Sequence, residues 1–188
     1  MAVDLKGTRY LLRQGVQISR GLAIRPGLDG DIDALAQIDA AELNGDQLGR
    51  TKLEGFISES CVLIAELDDV LVGFCVVRRR PERSMAILDA IAITSAFTGR
   101  GYGKALLGAA VLEAYRHGFS SMQLHVRADN PIAITFYQNF GFRRLRRLRR
   151  EPEIYLDGTM AVRMRKRLRS QNRLFQAFSG VIRLLKSR

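Results

Sequence analysis

"TGRGYGKALL", residues 98–107, places three glycines and two cations in front of an apolar stretch with helical spacing. Glycine lets the backbone come close to a ligand, and the first amides of a helix favour an anion. Arg100 and Lys104 add positive charge at the same place. The stretch therefore predicts a phosphate-binding turn at the start of a helix, and a pyrophosphate fits it well. The alternative interpretation is a glycine-rich turn that binds no ligand.

Two common nucleotide-binding motifs do not fit this turn. A Walker A loop requires a glycine, four further residues and then Gly-Lys-Ser/Thr. Here Ala105 follows Gly103-Lys104, and Thr98 stands where the first glycine is required. A dinucleotide-binding Gly-x-Gly-x-x-Gly motif requires a third glycine where this chain has Leu106. The ligand is therefore expected to be another kind of phosphate compound.

Segments on both sides of the turn alternate between strand and helix patterns. Apolar runs predict strands at 21–27, 61–67, 70–79, 84–93 and 121–127, with one or two short strands within 153–166. Helical spacing predicts helices at 28–43, 51–59, 102–117 and 130–140. This order predicts an α/β domain with a mixed sheet. A two-residue turn at Asp68-Asp69 would pair Cys61 with Val76 and place Cys75 on the other face.

Composition narrows the class of protein. A chain of 188 residues is long enough for one domain with a sizeable core. It contains no apolar run long enough for a transmembrane helix, and its first residues do not resemble a signal peptide. The two cysteines lack the spacing of metal ligands, so no metal site is expected. The expected location is the cytoplasm.

Positive charge is concentrated at the C-terminal end. The net charge is +11, and residues 143–188 hold 15 Lys and Arg against 3 acidic residues. This asymmetry suggests an anionic partner, either RNA, an acidic protein or a membrane surface; the alternative interpretation is a solvated loop and strand face. We divide the chain into an N-terminal extension at 1–20, a domain at 21–167 and a basic amphipathic tail at 168–188. The tail would pack on its own domain, form a homodimer contact or lie peripherally on a membrane.

Two further stretches identify a family. "LDAIAITSAFTGRGYGKALL" at 88–107 and "LHVRADNPIAITFYQNFGF" at 124–142 resemble the core of the GNAT superfamily of N-acetyltransferases. The turn pattern Gln/Arg-x-x-Gly-x-Gly/Ala falls on residues 98–103, with Thr98 in place of the usual Gln or Arg. The second pattern, Asn-x-x-Ala-x-x-x-Tyr followed by Gly-Phe, matches Asn130, Tyr137 and the residues between and after them. The nearest resemblance is to the branch that acetylates the N-terminal alanine of a ribosomal protein.

The resemblance implies both a fold and a cosubstrate. The fold would be a mixed, twisted and largely antiparallel sheet of six to seven strands flanked by helices, with the fourth and fifth strands splayed apart. Acetyl-CoA would enter that gap, and its acetyl group would go to an amine acceptor of unknown identity. The residues implied in binding acetyl-CoA are Ile91, Ala92, Ile93, Gly99, Arg100, Gly101, Tyr102, Gly103, Lys104 and Asn130. An amide near Ile93 would also polarise the thioester carbonyl.

Amine acetylation requires a base for the amine and an acid for the departing thiolate. Tyr137 stands at the family position of the acid; the alternative is an aromatic residue packed in the core. The base is left between two residues. His125 replaces a glutamate of the related branch and can accept a proton near neutral pH, while Asp89 lies on the strand where other members place an acidic residue. The alternatives are a structural histidine and a carboxylate paired with an arginine.

Two classes of function follow from the resemblance. The first is an acetyl-CoA-dependent N-acetyltransferase that acts on a protein N-terminus, a lysine or a small-molecule amine. Transfer would be direct in a ternary complex, because neither cysteine lies in the motif region. The second is a catalytically weak domain that binds acyl-CoA as a sensor or scaffold, with the basic region as its contact to RNA, an acidic protein or a membrane. Thr98 and His125, which depart from the family pattern, are the reason for retaining the second.

Overall fold

One mixed sheet of eight strands organises the computed structural model, which describes residues 16–17, 21–43, 45–59, 61–145, 155 and 157–168. The strands are β1 Val16–Gln17, β2 Leu22–Pro26, β3 Cys61–Leu67, β4 Val70–Arg80, β5 Met85–Ile93, β6 Ser121–Arg127, β7 Arg143–Arg144 and β8 Ala161–Arg167. Their order across the sheet is β1-β2-β3-β4-β5-β6-β8-β7. All neighbours are antiparallel except β5 and β6, which are parallel. The expected mixed, largely antiparallel sheet is confirmed, and the two-residue strands β1 and β7 raise its strand count to eight.

Four helices flank the sheet: α1 Ile32–Glu42, α2 Arg50–Glu59, α3 Tyr102–Arg116 and α4 Pro131–Asn139. The expected helix 28–43 is shorter, because its first turn is a 3-10 turn at Asp29–Asp31. Helix α4 begins with Pro131, whose missing amide hydrogen costs nothing in a first turn, and is followed by Gly141 with φ of 88°. No helix among the described residues is long and apolar enough to cross a membrane.

The sheet has one buried core on each face. Residues of α3 and α4 share a core with Leu63, Val77, Leu88, Leu124 and Met164. Residues of α1 and α2 share the other with Val62, Phe74, Val76, Ala90 and Ala92. The first group defines what we call the α3/α4 face, and the second defines the α1/α2 face.

A β-bulge interrupts β5 at Asp89. Leu88 pairs with Val77 and Ala90 pairs with Val76, so Asp89 is an extra residue relative to β4. A bulge inserts one residue and changes the face to which the following side chains point. For this reason Leu88 belongs to the α3/α4 core, whereas Ala90 belongs to the α1/α2 core.

The parallel pair β5 and β6 separates immediately before the bulge. Pairing runs from Met85 with Ser121 to Leu88 with Leu124 and stops there. Strand β5 nevertheless continues to Ile93, and β6 continues to Arg127 with β8 as its partner. These are the expected fourth and fifth strands of the family fold, and their splayed ends leave an opening in the sheet.

Another bulge corrects the expected β3–β4 register. Asp68 and Asp69 form the expected two-residue turn, with φ of 48° and 64°. A register shift between Ala65 and Glu66 then pairs Cys61 with Val77, and the expected pairing of Cys61 with Val76 is wrong. A single inserted residue displaces every pair that follows it.

The predicted terminal segments lie mostly outside the described residues. Within the N-terminal extension, Val16–Gln17 pairs with β2 and adds a strand to the sheet. The dense basic run at 146–150 and the amphipathic tail from residue 169 onward are outside the described part of the chain. The division at 20, 167 and 168 therefore stays a prediction.

Candidate functional site

The glycine turn connects β5 to α3. A 3-10 turn at Ser95–Phe97 follows β5, and Gly99 and Gly101 then adopt φ of 74° and 87°, values that glycine reaches at little cost. Gly101 is the N-cap of α3. The hydroxyl of Thr98 donates to the carbonyl oxygen of Ser95 at 2.9 Å, so Thr98 holds the turn together.

The first amides of α3 point away from the helix. The first of its characteristic hydrogen bonds runs from the amide of Ala105 to the carbonyl of Gly101 at 3.1 Å. The amides of residues 102–104 precede that bond and have no carbonyl four residues earlier within the helix. The turn therefore presents successive N–H groups at the positive end of the helix dipole, which is suitable for a phosphate group.

A cavity of about 570 Å³ joins the glycine turn to the opening in the sheet. Its volume is within the range usual for small-molecule sites. The structure places ten of the thirteen sequence-predicted site residues in its lining. These are Ile91, Ile93, Gly99, Arg100, Gly101, Tyr102, Gly103, Lys104, Asn130 and Tyr137. Ala92, on the same strand segment as Ile91 and Ile93, does not line it and is buried in the α1/α2 core.

Strand β5 offers unpaired backbone groups at the opening. The amide of Thr94 donates to the carbonyl of Val72 on β4 at 2.9 Å. In an antiparallel pair, hydrogen-bonded residues alternate with residues that point to the other edge. Ala92 therefore directs its backbone groups to β4, whereas Ile91 and Ile93 direct theirs to the edge that β6 has left.

Gly73 on β4 allows β5 to lie at this position. It is the partner of Ile93, and a Cβ atom on Gly73 would overlap Cδ1 of Ile93 and lie 2.5 Å from the carbonyl oxygen of Ala92. No side chain fits at that distance. The absence of a side chain at Gly73 thus positions the strand segment that borders the cavity.

Tyr137 lies at the inner end of the cavity on the α3/α4 face. It is 8% exposed, and its ring contacts Phe136 and Phe142 edge-to-face at centroid distances of 5.3 and 5.9 Å. Burial raises the pKa of its phenol well above the usual value, because the charged phenolate would lose its hydration. Tyr137 therefore keeps its proton across the physiological range, as an acid must before it donates.

Asn130 caps the helix that carries Tyr137. Its side-chain oxygen accepts a hydrogen bond from the amide of Ala133 at 2.9 Å, at the N-terminus of α4. It also lines the cavity. Both observations give Asn130 an ordering role in the site.

His125 lies on the α1/α2 face of β6, just beyond the last β5–β6 pair. It is half-buried, and its cross-strand partner on β8 is Arg163. One of its ring nitrogens, Nε2, is 3.4 Å from the amide nitrogen of Gln123, whose oxygen accepts from Arg165 at 3.3 Å. Arg165 thus orients the Gln123 amide so that its NH₂ faces the imidazole.

Asp89 lies in a two-point ion pair with Arg78. The guanidinium donates through Nε at 2.9 Å and through a terminal nitrogen at 2.7 Å. By the alternation of β4, Arg78 and hence Asp89 lie on the α1/α2 face. Neither Asp89 nor His125 lines the cavity, so the two base candidates and Tyr137 are on opposite faces of the opening.

Several lining residues were not predicted from the sequence. They are Phe97, Ile132, Ala133 and Phe136, with Thr98 singled out only as a departure from the family pattern. Residues 132, 133, 136 and 137 lie on one face of α4. Helical spacing from Tyr137 was therefore the signal in the sequence that could have identified the first three as lining residues. Phe97 gave no such signal, because the 3-10 turn alone carries it to the cavity. The guanidinium of Arg100 lies 5.4 Å from its ring centroid.

Polar contacts secure the loops around the α1/α2 side of the opening. Glu42, at the end of α1, accepts from the amide and the hydroxyl of Ser95 at 2.8 and 2.6 Å. Arg127, at the end of β6, contacts Asp129 at 3.1 Å and Asp157 at 2.5 Å, with Asp46 at 3.6 Å. These contacts connect the loop after α1 and the turn before β8 to the sheet.

The same contacts change the pKa values of the carboxyl groups. Hydrogen bonds from Arg127 and from the amide of Thr159 lower the pKa of Asp157 to about 2. Burial raises the pKa of Asp46, because Arg127 only partly offsets the lost hydration. Within the described residues, no group of three or more His, Cys, Asp or Glu side chains is arranged to hold a metal ion.

Comparisons with known proteins agree with this geometry. A mycothiol acetyltransferase of Renibacterium salmoninarum is 33% identical over 93 residues, which are 47% of this chain and 28% of that protein. The chain spans about a third of the length of the curated relatives it matches.

Solved structures share the fold. The ribosomal-protein-S18-alanine N-acetyltransferase of Escherichia coli superposes with a TM-score of 0.68 at 22% identity, over 80% of this chain and 97% of that chain. The N-acetylglutamate synthase of Neisseria gonorrhoeae, complexed with coenzyme A and N-acetyl-glutamate, gives a TM-score of 0.66 at 22% identity, over 79% of this chain and 35% of that chain. At these identities the likeness is one of fold.

The family match covers the helices, the glycine turn and the cavity together. The model of the acetyltransferase (GNAT) family matches residues 33–142, from the start of α1 to the residue before β7. That range includes the splayed strands, the turn and Tyr137. The chain therefore belongs to the acetyltransferase (GNAT) family.

Proposed function

We propose that this protein is an acetyl-CoA-dependent N-acetyltransferase that transfers an acetyl group directly to a primary amine. One observation carries the proposal: a single cavity joins the amides of the glycine turn, the free edge of β5 and the phenol of Tyr137. A phosphate group, an extended amide chain and a thiol leaving group each have a suitable partner there. The acceptor is a protein N-terminus, a lysine or a small-molecule amine.

The residues of the cavity fit acetyl-CoA, which would supply an acetyl group activated as a thioester. The amides of residues 102–104, with Arg100 and Lys104, would hold the pyrophosphate. The backbone groups of Ile91 and Ile93 would bind the pantetheine amides as an added strand. The positive φ of Gly99 and Gly101 and the missing side chain of Gly73 all serve this arrangement.

Proton transfer is divided between the two faces of the opening. His125 would accept a proton from the incoming ammonium group directly or through a water molecule. Tyr137 would hold its proton until the sulfur departs and then donate it. Asp89 is the second base candidate, and its ion pair with Arg78 favours an orienting role on the same face.

A thiol-release assay with acetyl-CoA and a panel of amines tests the proposal. Peptides with free N-termini, free lysine, polyamines and amino acids should include at least one acceptor that releases CoA, and mass spectrometry should find the acetylated product. Tight CoA binding without release for any amine would contradict the enzyme proposal. It would instead support an acyl-CoA-binding sensor.

A further inference from the structure

On the α1/α2 face of the sheet, helices cover one half and basic side chains occupy the other. Helices α1 and α2 pack on β3, β4 and β5. On the other half, the side chains that share this face by register are Ser121, Gln123 and His125 of β6, with Arg163, Arg165 and Arg167 of β8 and Arg143 of β7. No acidic side chain belongs to this half-face in β6, β7 or β8 as described. We call this set the basic half-face.

Three of its cations are exposed and available to a partner. Arg143, Arg165 and Arg167 are exposed, and among the described residues none of the three forms an ion pair with a carboxylate. Arg127 differs, because Asp46, Asp129 and Asp157 surround it and offset its charge. Positive charge without a carboxylate partner is therefore found at Arg143, Arg165 and Arg167 of the basic half-face and not at Arg127.

The basic half-face begins at the opening between β5 and β6. His125 is the first β6 residue beyond the last β5 pair, and Arg163 lies directly opposite it on β8. Neighbouring strands are about 4.8 Å apart, and successive residues on one face are about 7 Å apart along a strand. Arg165, Arg143 and Arg167 are therefore about 8, 12 and 15 Å from His125. An extended chain of two to four residues covers that distance at about 3.5 Å per residue.

We propose that the acceptor is a polypeptide with acidic residues two to four positions from the amine that is acetylated. This inference rests on the proposed function, because it assumes that the amine enters the opening near His125. An acidic side chain at those positions meets Arg143, Arg165 or Arg167, and Coulomb attraction raises both the rate of encounter and the occupancy of the site.

An acidic polypeptide fits this surface better than a nucleic acid does. The basic half-face carries no Phe, Tyr or Trp side chain among the described residues, so it lacks the large aromatic rings on which bases stack most strongly. It spans three strands, with three same-face residues on β6, three on β8 and Arg143 on β7, over roughly 10 by 15 Å. That area accommodates a short peptide and is small for a specific nucleic-acid interface.

Sets of three matched peptides test the inference on the full chain. Each set begins with Ala, Ser or Met, and its three members carry Glu, Gln or Lys at positions two to four. Their acetylation by acetyl-CoA is followed. We expect kcat/KM to be about 5- to 10-fold higher for Glu than for Gln peptides and lowest for Lys peptides. The ratio should fall as salt rises from about 50 to 300 mM, because exposed charges are screened.

Charge reversal on the basic half-face gives the matched comparison. Arg143→Glu should lower the Glu/Gln ratio of kcat/KM towards one, because it replaces an attractive charge with a repulsive one. Arg116→Glu, at the end of α3 on the opposite face, should retain the wild-type ratio. A melting temperature for each variant confirms that it is folded.

The outcomes separate the inference from the function on which it rests. Equal rates for Glu and Gln peptides would overturn the acidic-acceptor inference and leave the acetyltransferase standing. Absence of acetylation for every peptide and every amine of the wider panel would overturn both. Binding of a single-stranded RNA that Arg143→Glu abolishes, together with an unchanged peptide preference, would assign the basic half-face to RNA and overturn the inference.

Discussion

At the scale of single residues, Tyr137 has the environment that an acid requires. Its phenol is buried beside two aromatic rings, and burial raises its pKa. Removing only the hydroxyl in Tyr137→Phe should lower kcat by about 10- to 100-fold or more, with little change in the Kd of acetyl-CoA. Thiol release and calorimetric CoA binding measure the two quantities. Tyr115→Phe, far along α3, serves as the control, and an unchanged kcat in Tyr137→Phe would remove the tyrosine from this role.

The base can be assigned from the pH dependence of kcat/KM. A base acts when deprotonated, so activity should rise with pH through its pKa. Gln123→Glu places a carboxylate beside His125, favours the imidazolium and should move that rise to higher pH by about one unit. Gln37→Glu on the exposed side of α1 should leave it unchanged. If the rise persists in His125→Gln and disappears in Asp89→Asn, the base is Asp89.

Ionisation of Tyr137 should not lower the activity at moderately alkaline pH, because the pKa of its phenol is raised above the usual value of 10.0. This separates the proposed acid from an exposed tyrosine, which would lose its proton in that range.

At the scale of elements, the contact between β4 and β5 depends on one glycine. Gly73→Ala would place a Cβ atom against Ile93 and 2.5 Å from the carbonyl oxygen of Ala92, so β5 must move. We expect the free energy of unfolding to fall by about 1–3 kcal/mol and the KM for acetyl-CoA to rise. Denaturant titration and steady-state kinetics measure these effects.

A matched glycine substitution controls for the change in propensity. A Cβ atom at Gly55, within α2, would meet nothing within 4 Å, and its φ is not positive. Gly55→Ala should therefore raise the free energy of unfolding by about 0.5–1 kcal/mol and leave the KM unchanged. If both variants had the same effect, close packing at Gly73 would not be the cause.

Substitutions in the glycine turn should distinguish effects on the free energy of unfolding from effects on CoA binding. Gly101→Ala forces a side chain into φ of 87° and should cost about 1–2 kcal/mol of stability as well as CoA affinity. At Gly103 a Cβ atom would lie 3.6 Å from Ile93 and 3.9 Å from Phe136, which are ordinary contacts. Gly103→Ala should therefore retain or raise stability, because alanine favours a helix, while it weakens CoA binding by about 10-fold at the turn. Equal losses of stability in the two variants would contradict this separation.

At the scale of the whole molecule, Arg127 connects parts of the chain that are distant in sequence. Its partners come from the loop after α1, from the loop after β6 and from the turn before β8, and its guanidinium lies 5.1 Å from the ring centroid of Tyr155. The hydrogen bonds that Arg127 donates to Asp129 and Asp157 raise its pKa further, so its charge is constant at any practical pH. Stability of these loops therefore depends on the protonation of the carboxylates.

Asp157 should contribute an acid-sensitive part of the stability. Its pKa is lowered from 3.8 to about 2 in the folded protein, so its contribution is complete above pH 4 and is lost as the pH falls towards 2. Denaturant titrations between pH 5 and 2.5 should show a smaller loss of stability for Asp157→Asn than for the wild type. Asp69→Asn at the β3–β4 turn is the control, and parallel curves for Asp157→Asn and the wild type would refute the assignment.

Asp46 acts in the opposite direction over the same experiment. Burial raises its pKa, so its ionised form costs stability at higher pH and its protonation relieves that cost as the pH falls. The free energy of unfolding of the wild type should therefore fall less on acidification than the protonation of Asp157 alone would cause.

The sequence by itself determined the local parts of the site. The positive φ at Gly99 and Gly101, the N-cap at Asn130 and the helix that carries Tyr137 depend on residues a few positions apart, so their pattern is readable along the chain. The mixed sheet followed from the order of the predicted strands and helices, and the splayed strand pair followed from the family resemblance that those motifs carry.

Tertiary structure decided the features that depend on pairing between distant strands. The bulge at Asp89, the ion pair of Asp89 with Arg78 and the register of Cys61 with Val77 each require a partner strand to choose between nearly equal alignments. The same holds for the basic half-face, because only the β6–β8–β7 register brings Arg143, Arg165 and His125 to one side. A one-residue shift would move each side chain to the opposite face, and no local pattern fixes that choice.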